Sequence, residues 1–490
     1  MTSFVEAARR EKLAELVKRG VVPFAYRFDR TGPVRAALEG FRLEDATVHR
    51  LAGRLVLLRS MGKTTFAHLE DRSGRIQVYF KVDDVGAEAY EVVKLLDLGD
   101  VIGVEGPLFR TKTGEVTVRV QRFTLLTKSL RPLPLGKEDA EGKRHGELAD
   151  PELRARQRYA DLAVHPEVRE VFRLRARAVG YVRSFLDARG YLEVETPVLQ
   201  PVYGGASARP FVTHYEALDS DVYLRIADEL YLKRCIVGGL EKVYEIGHDF
   251  RNEGMDRFHN PEFTMAEWYE AYADYEVMLQ LTEALVSGMV HELFGGTTLE
   301  RHGATLDFKR PFARTDYYAL VRETAGIDLT RATEAELRAA LKRKDVADAD
   351  TFAGAKLVDE VFKSYAEPTL IQPTFVLDYP VALSPLAKLK RGDPTRVERW
   401  ELFVQKRELA NAFSELNDPD EQRRRFEQQA RLRAAGDAEA QQLDEDFIRA
   451  LEYGLPPTGG VGLGVDRLLM ILADQPHIRD VILFPMLRPE

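Results

Sequence analysis

Arg251, Glu253, His259, Asn260 and Phe263 fall in one short stretch, Lys242-Val-Tyr-Glu-Ile-Gly-His-Asp-Phe-Arg-Asn-Glu-Gly-Met-Asp-Arg-Phe-His-Asn-Pro-Glu-Phe-Thr-Met-Ala-Glu-Trp-Tyr269. An arginine presents a planar fork that suits a phosphate, and a phenylalanine presents a face on which a base can stack. Two carboxylates, Glu408 and Glu415, lie in Lys406-Arg-Glu-Leu-Ala-Asn-Ala-Phe-Ser-Glu-Leu-Asn-Asp418. Such a pair can hold magnesium while substrate phosphates supply the other oxygens. Near the end, the glycine-rich run Gly459-Gly-Val-Gly-Leu-Gly464 is followed by Asp466-Arg467. Glycines let a nucleotide lie against backbone, yet this run has neither the Gly-Lys-Ser/Thr of a P-loop nor dinucleotide spacing. Each feature also has a plain reading: a polar hairpin tip, a solvated charged helix, an ordinary loop.

Periodicity suggests the elements that position these groups. Val243, Tyr244 and Ile246 suit a strand, Asn252 to Asp256 a turn-rich connection, and Phe263 to Tyr272 a second strand. On that second strand Phe263, Met265, Glu267 and Tyr269 share one face; the other is equally mixed, so alternation alone does not decide which is buried. Glu408 and Glu415 share a face if helical. If extended, their odd spacing puts them on opposite faces unless a turn or bulge intervenes. Propensity there favours helix. Gly204-Gly-Ala-Ser-Ala-Arg-Pro-Phe211 can approach a ligand closely, and Tyr223 to Arg234 runs from strand into helix.

The chain has 490 residues, 45% hydrophobic and 30% charged, enough for two or three soluble domains. A net charge of −9 argues against a general nucleic-acid coat but not against a local basic face. The single cysteine, Cys235, excludes an intramolecular disulfide and a Cys-based zinc site, and fits a reducing cytoplasm. No apolar run reaches membrane-spanning length, and the first residues lack a signal-peptide core. Residues 3–19 read as a helix, with Ser3 as its cap. Strands are expected at Val48–Leu58, Thr65–Glu70, Ile76–Phe80, Val101–Leu108 and Val116–Leu125, with a helix at Gly86–Leu96. That pattern suits a small OB-type barrel, with Arg59, Phe66, Gln77 and Glu115 as candidate readers of single-stranded nucleic acid. A linker starts near Leu130, with the domain boundary near Pro134. Helices follow at Val168–Arg189 and Tyr275–Phe294, then two at Glu334–Arg343 and Ala353–Tyr365 that look like an insertion. Tyr191–Glu195 and the stretch from Leu370 read as strands, and residues 419–450 as a charged helical stretch.

The Lys242–Tyr269 string closely resembles motif 2 of the class II aminoacyl-tRNA synthetases, and His259-Asn-Pro-Glu-Phe-Thr-Met-Ala-Glu267 resembles the bacterial lysyl branch. The helix, strand and Thr196-Pro197 at about 180–197 resemble motif 1, and 459–472 resembles motif 3. Met61-Gly-Lys63, Gly74-Arg-Ile-Gln77 and Thr111-Lys-Thr-Gly-Glu115 are similar to the anticodon-binding barrel of that branch. The resemblance implies an α+β protein: a helical extension at 1–45, an OB-fold anticodon domain at 46–134, a hinge at 135–165, and a catalytic domain at 166–490 on an antiparallel sheet flanked by helices. It favours two strand segments with a turn around Glu408.

It also implies roles. Arg251 and Arg467 are the catalytic cations, on the α- and γ-phosphates. Glu253, His259, Asn260, Phe263, Glu408 and Gly464 join them around ATP, with Mg2+ on Glu408 and Glu415. Gly205, Glu229, Arg251, Glu267, Tyr269, Asn411 and Glu415 would take L-lysine, with Glu267 on its ε-amine, because a buried carboxylate needs a cation. Ala410 and Ala412 stand where glycines are common, which would narrow the pocket by two methyl groups. The implied partners are tRNA(Lys), ATP, L-lysine and a second copy of the chain, in the cytoplasm, without membrane or DNA. Three other readings remain at this point: an aspartyl or asparaginyl relative, a ligase that lysylates a protein, and a non-catalytic tRNA-binding regulator.

Overall fold

A computed structural model describes residues 4–138, 144–434 and 442–489. The chain divides into two compact units at His165 and Pro166. The cap expected from Ser3 and the middle of the 419–450 stretch lie outside the described residues.

In the first unit the helix Phe4–Lys18 precedes a six-stranded barrel sheet. Strand Val48–Met61 closes it, pairing through one half with Val101–Arg110 and through the other with Thr64–Asp71. The single strand expected at Val116–Leu125 is two, Val116–Arg119 and Arg122–Thr127. The chain changes partner between them: Val120 N–H donates to Tyr79 and Gln121 N–H to Glu105. Leu51, Leu55, Leu69, Val78, Phe80 and Val104 are fully enclosed in the barrel core. The expected helix between the third and fourth strands is present as Ala87–Val93.

The second unit is built on an eight-stranded sheet in the order Ala313–Asp316, Thr374–Leu377, Arg399–Val404, Arg407–Ser414, Thr458–Gly464, Glu262–Ala271, Lys242–Phe250 and Leu192–Glu193. Its central strands are antiparallel, but the pair at each edge is parallel, so the sheet is mixed rather than purely antiparallel. Helices Pro166–Asp187 and Tyr275–Phe294 pack on one face around the fully buried Trp268 and Trp400. Trp400 donates its indole N–H to the Tyr275 carbonyl at 2.7 Å, satisfying the one polar atom of that buried ring. The strand expected at Tyr191–Glu195 shortens to Leu192–Glu193, because Thr196 N–H turns to the Glu245 carboxylate. The strand expected from Leu370 is confined to Thr374–Leu377 and stops at Asp378, whose φ is +67°.

The insertion is helical as expected, at Glu334–Arg343 and Gly354–Tyr365. Thr333 and Glu336 form a reciprocal capping box at its start. Helix propensity around Glu408 is overridden: Arg399–Val404 and Arg407–Ser414 form a hairpin turning at Gln405 and Lys406, both with positive φ. A strand buried between neighbours satisfies all its backbone groups in the sheet, a gain that local propensity cannot match.

Candidate active site

The sheet, the helix Glu229–Val237 and the insertion helix Gly354–Tyr365 surround a cavity of about 960 Å³. The hairpin of Lys242–Phe250 and Glu262–Ala271 sends Phe263, Met265, Glu267 and Tyr269 to the cavity. Trp268 on the opposite face goes to the core, which settles what alternation left open. The parity problem at Glu408 is settled by a bulge. Phe403 pairs with Glu408 and Leu402 with Ala410, leaving Leu409 as the extra residue. Glu408 therefore joins Asn411, Phe413 and Glu415 on the cavity face. Ala410 and Ala412 point into the core, so their methyl groups do not narrow the pocket, contrary to expectation.

One end of the cavity is acidic and closed. Glu229, Glu267 and Glu415 are each at most 6% exposed. Lys233, fully buried one turn along the helix from Glu229, reaches Glu229 Oε1 and Glu415 Oε2, both at 2.5 Å. Burial works against its ammonium, but the two carboxylates outweigh it and keep it charged. Burial pushes the Glu415 carboxyl up to about 8 with Lys233 opposing. Glu267 has no such cation among the described residues. Its partner is the Tyr269 hydroxyl, which donates at 3.2 Å, and burial drives its carboxyl well above the usual range. Tyr269 lies flat on the next strand because Gly460 is there: a Cβ would sit 2.2 Å from Tyr269 Cε1 and 2.3 Å from Glu415 Oε1. Gly205, at φ +90°, brings its backbone close to Glu229, where a Cβ would lie 3.2 Å from the Glu229 Cβ.

The other end is open and cationic. Arg251 stacks its guanidinium 5.1 Å from the Phe263 ring centre, and its buried Nε has no hydrogen-bond partner among the described residues. Arg467 Nη1 reaches the Glu408 carboxylate at 3.3 Å, and its Nη2 donates to His259 Nε2 at 3.1 Å. Asp256 accepts from His259 Nδ1 at 2.8 Å, leaving Nε2 as the acceptor that Arg467 needs. Asn260 donates to the Glu262 carbonyl, Glu253 is exposed at the rim, and Gly464 lies beside Arg467.

Glu408 and Glu415 do not form the single cluster expected of metal ligands. Seven residues of extended chain span roughly 20 Å, and the two carboxylates engage different cations, Arg467 and Lys233. Among the described residues no three His, Cys, Asp or Glu side chains gather to hold a metal ion. Glu408 acts electrostatically on Glu367 and on a carboxylate of the cavity wall that the sequence reading missed, Glu401. It lies across the hairpin opposite Asn411, and burial pushes it up to about 7, with Arg399 opposing and Glu408 adding. Arg399 was missed too: it pairs with Glu401 and donates to Asn411 Oδ1 at 3.0 Å, so the Asn411 amide N–H groups face the pocket. Arg225, Asp228, Glu245 and Asp249 form a further unforeseen group behind Glu267, with Arg225 2.8 Å from Asp228 and 2.5 Å from Glu245. Burial and the neighbouring Asp249 push Asp228 up to about 9. Strict alternation along a strand containing Arg399 and Glu401 was the one signal that could have flagged that pair.

The barrel carries a separate candidate surface. Phe66 is half-buried rather than core, tilted 4.7 Å from Tyr79, which in turn lies 6.1 Å from Phe109. Glu115 accepts from Gln77 at 2.7 Å and pairs with His68 at 2.9 Å. Arg59 is exposed and sits directly across from Phe66 in the sheet. Tyr79, Phe109 and His68 were missed, although period-two spacing from Phe66 and Gln77 points to His68 and Tyr79.

A family model described as "tRNA synthetases class II (D, K and N)" matches residues 150–488, and one described as "OB-fold nucleic acid binding domain" matches residues 49–126. The chain is 53% identical to a lysine–tRNA ligase of Moorella thermoacetica over 99% of its own length and 98% of that protein's. It is 51% identical to lysine–tRNA ligases of Pelotomaculum thermopropionicum, over 98% and 94%, and of Syntrophomonas wolfei, over 99% and 97%. With an OB barrel, a class II sheet and end-to-end similarity of this kind, the chain belongs to the class II tRNA synthetases of the D, K and N group, on their lysine–tRNA ligase branch.

Proposed function

We propose that the chain joins L-lysine to ATP as lysyl-adenylate, releasing pyrophosphate, and then transfers the lysyl group to the 3′ end of its cognate tRNA. One observation supports lysine above other amino acids: Glu267, buried at the closed end of the cavity with no cation beside it among the described residues. Burying such a group costs several kcal/mol unless an opposite charge meets it. The substrate ε-ammonium would supply that charge, with Tyr269 beside it. Aspartate would bring a third party of like charge, and asparagine no charge at all.

The lysine carboxylate attacks the α-phosphorus as pyrophosphate leaves. Both reactants are anionic, so positioning and charge neutralisation matter more than proton transfer. Arg251 would bridge the amino-acid carboxylate and the α-phosphate. Glu229 and Gly205 would hold the α-amino group, and Asn411 would donate to the carboxylate. Phe263 would stack adenine on the face that Arg251 leaves free, with Glu253, His259, Asn260 and Gly464 around the nucleotide. Arg467 would leave Glu408 for the γ-phosphate, and His259 would steady it. Mg2+, bound by Glu408 and Glu401 with phosphate oxygens, would add charge neutralisation; this set fits because the two carboxylates share one field, whereas Glu415 is taken by Lys233.

On the barrel, Arg59, Phe66, Gln77 and Glu115 would read the anticodon. A homodimer through motif 1 is supported by exposed Leu192, Val198 and Leu199 beside it. No helix among the described residues is long and apolar enough to cross a membrane, and we place the protein in the cytoplasm. The deciding experiment is ATP–pyrophosphate exchange with magnesium and each amino acid in turn. Exchange with lysine alone supports the reading. Exchange with aspartate or asparagine overturns the pocket, and none with any amino acid favours a non-catalytic tRNA binder.

A further inference from the structure

Lys233 has no place in the chemistry above, yet it is a fully buried ammonium in the wall of the amino-acid end. It touches two of the three carboxylates there, each at 2.5 Å, and leaves the third alone. Its position is set by the helix Glu229–Val237, where Glu229 and Lys233 are four residues apart on one face. Glu415 comes from the far side, just beyond the strand Arg407–Ser414, so the ammonium ties helix to sheet at the floor of the pocket.

The charges can be counted. Glu229, Glu267 and Glu415 supply three negative charges when ionised, and Lys233 one positive charge. The deficit is two positive charges, the number of ammonium groups on L-lysine. The carboxylates behind the wall, Asp228, Glu245 and Asp249, gather on their own cation, Arg225, at 2.8, 2.5 and 3.4 Å, so they are paired apart from the three that line the pocket. Without Lys233 the pocket would carry one carboxylate too many. Glu229 and Glu415 would then repel each other at the place where the α-amino group must bind.

We infer that Lys233 is a positioning and specificity residue: it stands as a built-in third ammonium that fixes Glu229 and Glu415 and sets the pocket to accept two substrate cations. This rests on the lysine reading of the pocket. A mere cross-link between helix and sheet would move stability and the ATP KM together with the lysine KM, whereas the charge count confines the loss to lysine and returns it when Lys233 and Glu415 are both removed.

The test uses the full chain in lysine-dependent ATP–pyrophosphate exchange, comparing wild type, Lys233→Met, Glu415→Gln and the double variant. Each single change should raise the lysine KM by more than about tenfold, with the ATP KM within about twofold of wild type. The double variant, back to a deficit of two, should have a lower lysine KM than either single. A Lys233→Met lysine KM within about threefold of wild type, or a double variant whose lysine KM is not below that of both singles, overturns the inference. Should Lys233→Met fail to fold, Glu415→Gln against the double variant decides alone, since replacing a buried ion pair by neutral groups is commonly tolerated. A wild-type protein with no lysine-dependent exchange overturns the lysine reading itself, and the inference with it.

Discussion

Replacing Glu267 by Gln isolates one charge with little change of shape. Glu267 is 6% exposed, accepts from the Tyr269 hydroxyl at 3.2 Å, and has no cationic partner among the described residues. Gln retains the volume and an acceptor for Tyr269, so the cavity should persist. The cost falls on the bound state, where the ε-ammonium loses its counter-charge. Truncating one partner of a buried charge pair costs about 2 to 5 kcal/mol, which is roughly a 30-fold to 5,000-fold loss in lysine kcat/KM. The ATP KM should stay near wild type, because Arg251, Phe263 and Arg467 lie at the other end of the cavity. The free protein responds with the opposite sign. In the fold the Glu267 carboxyl is raised well above its usual value, chiefly by burial. Wild type therefore loses stability as pH rises above the ordinary glutamate range, while the Gln variant, which mimics the protonated acid, does not. Pyrophosphate exchange and thermal melts between pH 6 and about 8.5 measure both effects. A variant whose lysine kcat/KM stays within about threefold of wild type refutes the pairing.

The raised carboxyls of Glu267 and Glu415 make lysine binding release protons, so the lysine KM of wild type should fall as pH rises from 6 toward the value of about 8 at Glu415; titration calorimetry in two buffers of different ionisation heat reads that release. A flat profile would mean that these carboxyls do not meet the substrate. Gly460→Ala places a methyl group 2.2 Å from Tyr269 Cε1 and 2.3 Å from Glu415 Oε1, so the lysine KM should rise by more than about tenfold while the barrel keeps its tRNA affinity. Phe66→Ala should raise the tRNA KM in aminoacylation by about tenfold or more, as loss of one stacked base does, and leave pyrophosphate exchange untouched. Equal loss in both assays would place Phe66 in the fold rather than in RNA recognition.

Much of this protein is written locally in its chain. The helices Tyr275–Phe294 and Glu334–Arg343 carry their apolar spacing and caps within a few residues, and both occur with the bounds that periodicity predicts. The hairpin bearing Arg251 and Phe263 is legible because its strands alternate and its connection is polar. Where local signals were silent or misleading, the contest was decided between distant segments. Residues around Glu408 favour helix, yet they form a central strand because neighbours on both sides satisfy its backbone. The bulge at Leu409 that turns Glu408 onto the cavity face exists only in the pairing with Leu402 and Phe403, and one strand cannot encode a register by itself. Lys233 looks like one more lysine on a charged helix. Its burial between Glu229 and Glu415 depends on a strand far along the chain. The sequence alone determined the kinds of groups available, cations for phosphate and carboxylates for amines. Only the tertiary structure decided which carboxylate each cation neutralises, and so which one, Glu267, is left for a substrate, because electrostatic pairing is set by distance in three dimensions and by exclusion of water.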